Sequence, residues 1–253
     1  MTTCKNCGTA LIDNYCQHCG QKASTKRIEM KWLLHELPHA IWHIEKGFLY
    51  NVVQLTKRPG YAVVDYIEGK RKNFFHPISY LLIILAALSF IAYYLEIHWY
   101  DPVNDARMSE KTASFWKDYD MSQQLLTHHY FEFMAIYLPV ASLIIWGLLL
   151  WLKRGYNFAE SLVATMFMVA QTFILQTLAL FVAGLIHRTA FTRAADIAGL
   201  CMSLLLTLFQ FYQLGDTGVS KINRIVSGIV GAALLALWAF TALYIQTEWL
   251  HKK

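Results

Sequence analysis

Five stretches of this chain contain no Asp, Glu, Lys or Arg: residues 78–95, 134–152, 161–186, 197–214 and 225–246. At ~1.5 Å per helical residue, each can cross ~30 Å of hydrocarbon. Lipid offers a backbone amide no partner, so such segments must be helices that satisfy their own hydrogen bonds. Five buried core helices of a soluble all-α protein would instead need polar helices to cover them. With 56% hydrophobic and only 15% charged residues, the chain lacks the material. The expected fold class is an all-α integral membrane protein with about five transmembrane helices.

The charges around these blocks predict an orientation. The first 27 residues hold no apolar run that could act as a signal peptide. Lys57, Arg58, Lys70, Arg71 and Lys72 precede the first span, whereas the segment 96–132 carries seven acidic residues against Arg107, Lys111 and Lys117. Basic before and acidic after places the N-terminus in the cytoplasm and, after five crossings, the C-terminus outside. Lys153, Arg154, Lys221 and Arg224 agree; Arg188, Arg193 and the tail His251–Lys253 dissent.

Cys4, Cys7, Cys16 and Cys19 form two C-x-x-C pairs eight residues apart. Four thiolates at that spacing can close a tetrahedron around one structural Zn²⁺. Gly8 and Gly20 follow the second cysteine of each pair, where a zinc knuckle takes a positive φ. A module of some twenty residues buries too little apolar surface to fold alone, so the metal would be its core. Disulfides need an oxidising compartment, and a redox motif needs a surrounding βαβ pattern. His18 is a possible substitute ligand, and Cys201 stands alone in the fourth span.

A second metal motif follows. His35-Glu36-Leu37-Pro38-His39 matches the H-E-x-x-H of zinc peptidases, with His35 and His39 as ligands and Glu36 as the base. Pro38 interrupts the turn that must hold both histidines on one face, and no third ligand stands at a suitable spacing. The same residues also fit an amphipathic stripe of Met30, Leu33, Leu34, Leu37, Ile41, Ile44, Phe48, Val52 and Leu55, with Trp32 and Trp42 suited to a headgroup boundary. His35, His39 and His43 then form a wet face, which could also bind a metal ion weakly. After it, Pro59-Gly60 reads as the centre of a type II turn. Lys57, Arg58, Lys70, Arg71 and Lys72 form a cationic set beside Phe74 and Phe75, either a headgroup-binding site for anionic lipids or simply the topology signal.

Within the spans the polar residues are Gln171, Gln176, Gln210 and Gln213, which serve either as interhelical hydrogen bonds or as the lining of a polar cavity. The absence of charge from the five blocks argues against coupled transport. Gly228, Gly231, Ala232 and Ala236 let a neighbour approach the fifth span closely, and Pro139 interrupts the second. Asn157 and Glu160 are spaced as a capping box at the start of the third. No phosphate loop, nucleophile elbow or catalytic carboxylate pair appears, and no nucleic acid partner is expected.

The paired CxxCG motifs, "RPG" and "YIEGKRKNFFHP" resemble an uncharacterised bacterial family of multi-pass membrane proteins with an N-terminal zinc ribbon. The residues that carry the likeness are Cys4, Cys7, Cys16, Cys19, Arg58, Pro59, Gly60, Tyr66, Gly69, Lys70, Arg71 and Pro77. The resemblance implies an arrangement and a bacterial inner-membrane location, not an activity. Span count and a cytosolic N-terminal region are also similar to the Yip superfamily.

The expected organisation is a zinc ribbon and basic linker at 1–27, cytoplasmic interfacial amphipathic helices with the RPG turn and GKRK cluster at 28–76, and a five-span domain at 77–253 with an acidic external loop at 96–132. Two functions fit. In the first, a non-enzymatic adaptor binds a cytoplasmic protein through the ribbon and anionic lipid through its basic cluster. In the second, the spans form a lipid-handling or permease-like site, or the HExxH group forms a membrane peptidase.

Overall fold

The computed structural model describes residues 2–35, 47–98, 100–103, 105, 107–186, 189–214 and 219–251. Glu36, His39 and His43, and with them the middle of the expected amphipathic stripe, lie outside the described residues. Residues 30–35 are helical. The helices that follow are α1 (Phe48–Lys57), α2 (Pro59–Glu68), α3 (Pro77–Tyr94), α4 (Glu110–His128), α5 (Tyr130–Trp151), α6 (Phe158–Ile186), α7 (Thr189–Leu214) and α8 (Lys221–His251). Among the described residues the chain pairs as extended backbone only at two isolated antiparallel bridges, Thr3 with Ala10 and Tyr15 with Lys22.

Among the described residues five helices, α3, α5, α6 and most of α7 and α8, are long and apolar enough to cross a membrane. Their outer faces show why a membrane is required. In the apolar stretch of α8 only 22% of residues are buried, and Ile229, Leu237 and Phe240 point away from the protein. On α6 the outward residues include Leu178, Phe181, Val182 and Leu185. Exposing side chains of this kind to water costs ~25 cal/mol per Å² of apolar surface, which lipid removes. This is a multi-pass membrane protein.

The long helix α6 is central, packing against α3, α5 and α7 and also touching α1 and α2. Its Phe167 is fully buried, ringed by Tyr66 from α2, Phe74 from the loop after it and Tyr80 from α3, with ring centroids 5.1–6.3 Å away. The start of α6 is fixed by the expected capping box. The Glu160 amide donates to Asn157 Oδ1 at 2.9 Å, and the Asn157 amide donates back to Glu160 Oε2 at 2.8 Å. The small residues of α8 also act as expected, since Gly228 lies against Leu208 and Gly231 against the Phe211 ring of α7.

Three expectations change. Pro59-Gly60 is not the centre of a type II turn: Pro59 occupies the first turn of α2, where its missing amide costs nothing, and the chain bends at Arg58. Gly60 has no positive φ and is needed for a different reason, a close approach to α7. The segment 96–132 is not simply a loop, because Ser109 caps the 19-residue α4 by accepting from the Thr112 amide. The fourth span is not free of charge either, because α7 begins earlier than the uncharged block and takes in Arg193 and Asp196, both buried.

These two charges are tolerated because each has partners from other elements. Arg193 pairs with Asp105 and places its guanidinium 4.6 Å from the centre of the Trp116 ring. Asp196 accepts from the Tyr119 hydroxyl and, at 3.1 Å, from the Gln176 amide. α4 is thereby bound to α7 through polar contacts at the rim of the bundle.

Candidate metal centre

The four cysteines converge as the spacing predicts. Their sulfurs all lie within 4.8 Å of one another, with Cys4 3.6 Å from Cys19 and Cys7 3.5 Å from Cys16. A tetrahedron with metal–sulfur bonds of ~2.3 Å has edges of about 3.8 Å, so the four thiols are spaced to hold a metal ion.

The backbone that positions them is built twice, twelve residues apart. In the first knuckle the Gly8 amide donates to the Cys4 carbonyl, and the Cys4 amide to the Thr9 carbonyl, both at 2.8 Å. In the second, Gly20 donates to Cys16, and Cys16 to Gln21, again at 2.8 Å. Gly8 and Gly20 take φ of 77° and 72°, a conformation that costs a residue with a Cβ. The ribbon expected from the sequence thus consists of two turns, each closed by a single bridge, with no longer strands around them.

The sulfurs differ in environment. Cys7 is held down at about 5 by hydrogen bonds from Thr9, through its side chain first and then its backbone amide. Cys19 is pushed up to about 11 by desolvation, against which the Gln21 amide works in the opposite sense. Thr9 and Gln21 are equivalent positions of the two knuckles, so each amide faces the sulfur two residues before it. Without a cation four adjacent thiols share their protons unequally. A divalent ion would deprotonate all of them.

The module is tied to the membrane domain. Gln21, 5% exposed, donates to the Gly69 carbonyl at 2.9 Å and accepts from the amides of Arg71 and Lys72 at 3.0 and 3.2 Å. Gly69 ends α2 at φ 107°, and a Cβ there would meet Lys5 at 2.8 Å. Arg27 then grips Glu160 through two 2.8 Å hydrogen bonds and donates to the Gly155 carbonyl, while Asn157 donates to the Ile28 carbonyl. The Glu160 hydrogen bonds raise the Arg27 pKa further.

The expected headgroup residues divide by environment. Arg58 and Lys70 both pair with Asp65, at 2.9 and 2.6 Å. Arg71 is held by the carbonyls of Tyr66 and Lys26 and lies between the Trp32 and Tyr66 rings, 5.4 and 5.3 Å from their centres. Lys57 and Lys72 are exposed. His35 is exposed on the helical turn 30–35.

Three of the four glutamines bind partners on other elements. Gln171 accepts from Tyr80 Oη at 2.7 Å and donates to Thr56 Oγ1 at 2.7 Å, joining α6 to α3 and α1. Gln176 meets Asp196. Gln213 receives the Gly60 and Tyr61 amides, and Gln210 is fully buried with no hydrogen-bond partner among the described residues.

Asn51 is a polar anchor with no sequence signature beyond a polar residue on an apolar face. Fully buried, it accepts from the Phe75 amide at 3.0 Å and donates to the Phe75 carbonyl at 3.1 Å, fixing the lead into α3. Gln21 and Arg27 are equally silent in the sequence, because their partners lie 48 to 133 residues away.

Neither the curated proteins nor the solved structures contain a match to this chain. The family model described as a protein of unknown function (DUF3667) matches residues 45–90, which run through α1, α2, the basic loop and most of α3. That match stops short of the cysteine module, and it supports neither the ribbon nor the Yip likeness. Over residues 45–90 this multi-pass membrane protein is similar to an uncharacterised family.

Proposed function

We propose that the chain is a non-enzymatic adaptor of the bacterial inner membrane, with a zinc-bound knuckle pair on the cytoplasmic face as a fixed docking platform for a protein partner. The observation that carries this reading is the attachment of the module. Gln21 and Arg27 hold it against the Gly69–Lys72 loop and α6, so it is presented at a set height and angle. Ile12 and Tyr15, in the link between the knuckles, are 78% and 59% exposed and offer apolar contact on its outer side. Four soft thiolates favour Zn²⁺ over harder divalent ions. The basic residues Lys57, Arg58, Lys70, Arg71 and Lys72 favour anionic lipid around the base of the platform.

Zinc per chain, measured on the full protein in detergent, tests the metal. One ion is expected, lost in the Cys4→Ser/Cys7→Ser double variant and retained in His35→Ala/His39→Ala. The opposite pattern returns the HExxH segment to consideration as a peptidase site. Crosslinking in intact membranes tests the platform: Ile12→Arg/Tyr15→Arg should keep its zinc and lose a crosslinked protein that the parent chain retains. If no crosslinked protein depends on that face, the adaptor reading falls.

A second reading, a permease-like or lipid-handling bundle, draws on Asp196 and Arg193 inside α7, since ionisable residues in spans commonly mark a path for solutes or protons. It requires that Asp196→Asn change solute or lipid flux in reconstituted vesicles.

A further inference from the structure

Between the cysteine module and the loop ahead of α3 lies a cavity of about 610 Å³, within the usual range for a small-molecule site. Cations reach it from three separate parts of the chain: Lys22 from the second knuckle, Lys26 and Arg27 from the linker, Arg71 and Lys72 from the loop. Arg27 is already neutralised by Glu160. Of the remaining four, none has an acidic partner among the described residues, and Glu29 is the one carboxylate on the cavity wall.

Arg71 is the fixed point of this wall. Its hydrogen bonds go to backbone carbonyls and its faces to two aromatic rings, so its geometry is set without an ion pair, and Glu160 acts on its charge only through space. Such burial costs the guanidinium hydration, as the lowering of its pKa by desolvation indicates. Lys22, Lys26 and Lys72 are exposed and Arg71 is half-buried, so solvent screens part of their repulsion and an anion in the hollow would relieve the rest. The hydroxyl-bearing Ser24 and Thr25 and the Trp32 ring complete the lining.

We propose that this cleft binds a phosphate-bearing ligand, whose dianionic group sits against Arg71 and Lys72 while Lys22 and Lys26 close over it from the knuckle side. A phosphate offers several acceptor oxygens around one centre, which suits donors arriving from several directions. The ligand is either a lipid with a phosphomonoester headgroup or a soluble phosphate compound. In both cases it bridges the metal module to the membrane domain, and the site does not depend on a protein partner.

The test uses the full zinc-loaded chain in two arms. In detergent, inorganic phosphate and pyrophosphate are titrated by calorimetry. In nanodiscs, phosphatidic acid diluted in phosphatidylcholine is compared with phosphatidylcholine alone, and bound lipid is counted by native mass spectrometry. Saturable binding is expected in one arm, and that arm identifies the source. Lys26→Ala/Lys72→Ala should weaken it at least about tenfold, as the loss of two charge-assisted contacts implies. Lys221→Ala, at the start of α8, should leave it unchanged. Zinc content and helical circular dichroism verify that the variants fold. Absence of saturable binding in both arms, or equal loss in the Lys221 variant, overturns the proposal.

Discussion

The side-chain oxygen of Gln213, in the last turn of α7, accepts the backbone amide of Gly60 at 2.9 Å and that of Tyr61 at 3.3 Å. It does for α2 what an N-cap side chain does for most helices, because Arg58 at the N-cap position makes no such bond. The cap comes from 153 residues away and needs the two backbones almost in contact. A Cβ on Gly60 would lie 2.5 Å from Gln213 Cβ and 2.6 Å from the Gln210 carbonyl oxygen.

Gly60→Ala should therefore destabilise the protein by ~1–3 kcal/mol, since neither obstacle is a flexible side-chain tip. Gly147→Ala is the matched comparison, because its Cβ would meet nothing within 4 Å on the outer face of α5. That change should be neutral or stabilising by ~0.5–1 kcal/mol. Thermal unfolding in detergent, followed by helical circular dichroism, distinguishes the two. Equal melting temperatures would contradict the close approach of α2 to α7.

His76 makes stability depend on pH. Burial, and secondly the charge of Arg71, lower its pKa to about 4, and neither ring nitrogen has a hydrogen-bond partner among the described residues. The unfolded chain takes up this proton near its ordinary value of about 6.5, ahead of the folded protein. The contribution is thus complete above that value and is lost as pH falls from about 6.5 to about 4, by up to about 3 kcal/mol. His76→Phe should flatten the stability profile in that window. If parent and variant lose stability in parallel over it, His76 is not the group responsible.

Glu160 serves two partners at once, the Asn157 amide and the Arg27 guanidinium. Glu160→Gln keeps a side chain that can close the capping box and loses the ion pair, whereas Glu160→Ala loses both. The alanine variant should cost ~1–2 kcal/mol, with the glutamine variant in between. Limited trypsin digestion gives an independent readout, since cleavage after Lys26 or Arg27 should speed up in both variants. Unchanged digestion would show that the linker is held by other contacts.

What could be read in advance follows the range of the physics involved. The spans, the four cysteines with Gly8 and Gly20, and the Asn157–Glu160 box all depend on residues close in sequence, and all three take the expected form. The start of α7 does not. Arg193 and Asp196 look like the end of a loop until Asp105, 88 residues earlier, and Tyr119 are brought beside them. Pro59-Gly60 misleads in the same way, since its turn propensity is real and the deciding factor is the surface of α7. The basic cleft is only half visible in a linear reading. Arg71 and Lys72 stand out as a run, but Lys22 and Lys26 join them only once Gln21 has docked.

The Arg27–Glu160 clasp joins residues 133 positions apart. During synthesis the thiol-bearing end emerges first, yet the carboxylate that clamps it arrives only after two hydrophobic segments have been handed to the insertion machinery. Throughout that interval the leading residues can close their own short turns and, once residues 69–72 are made, dock Gln21, but the clasp itself has no partner yet. Final seating of the N-terminal piece is thus among the last events of assembly, a timing set by where one acidic side chain falls along the polypeptide.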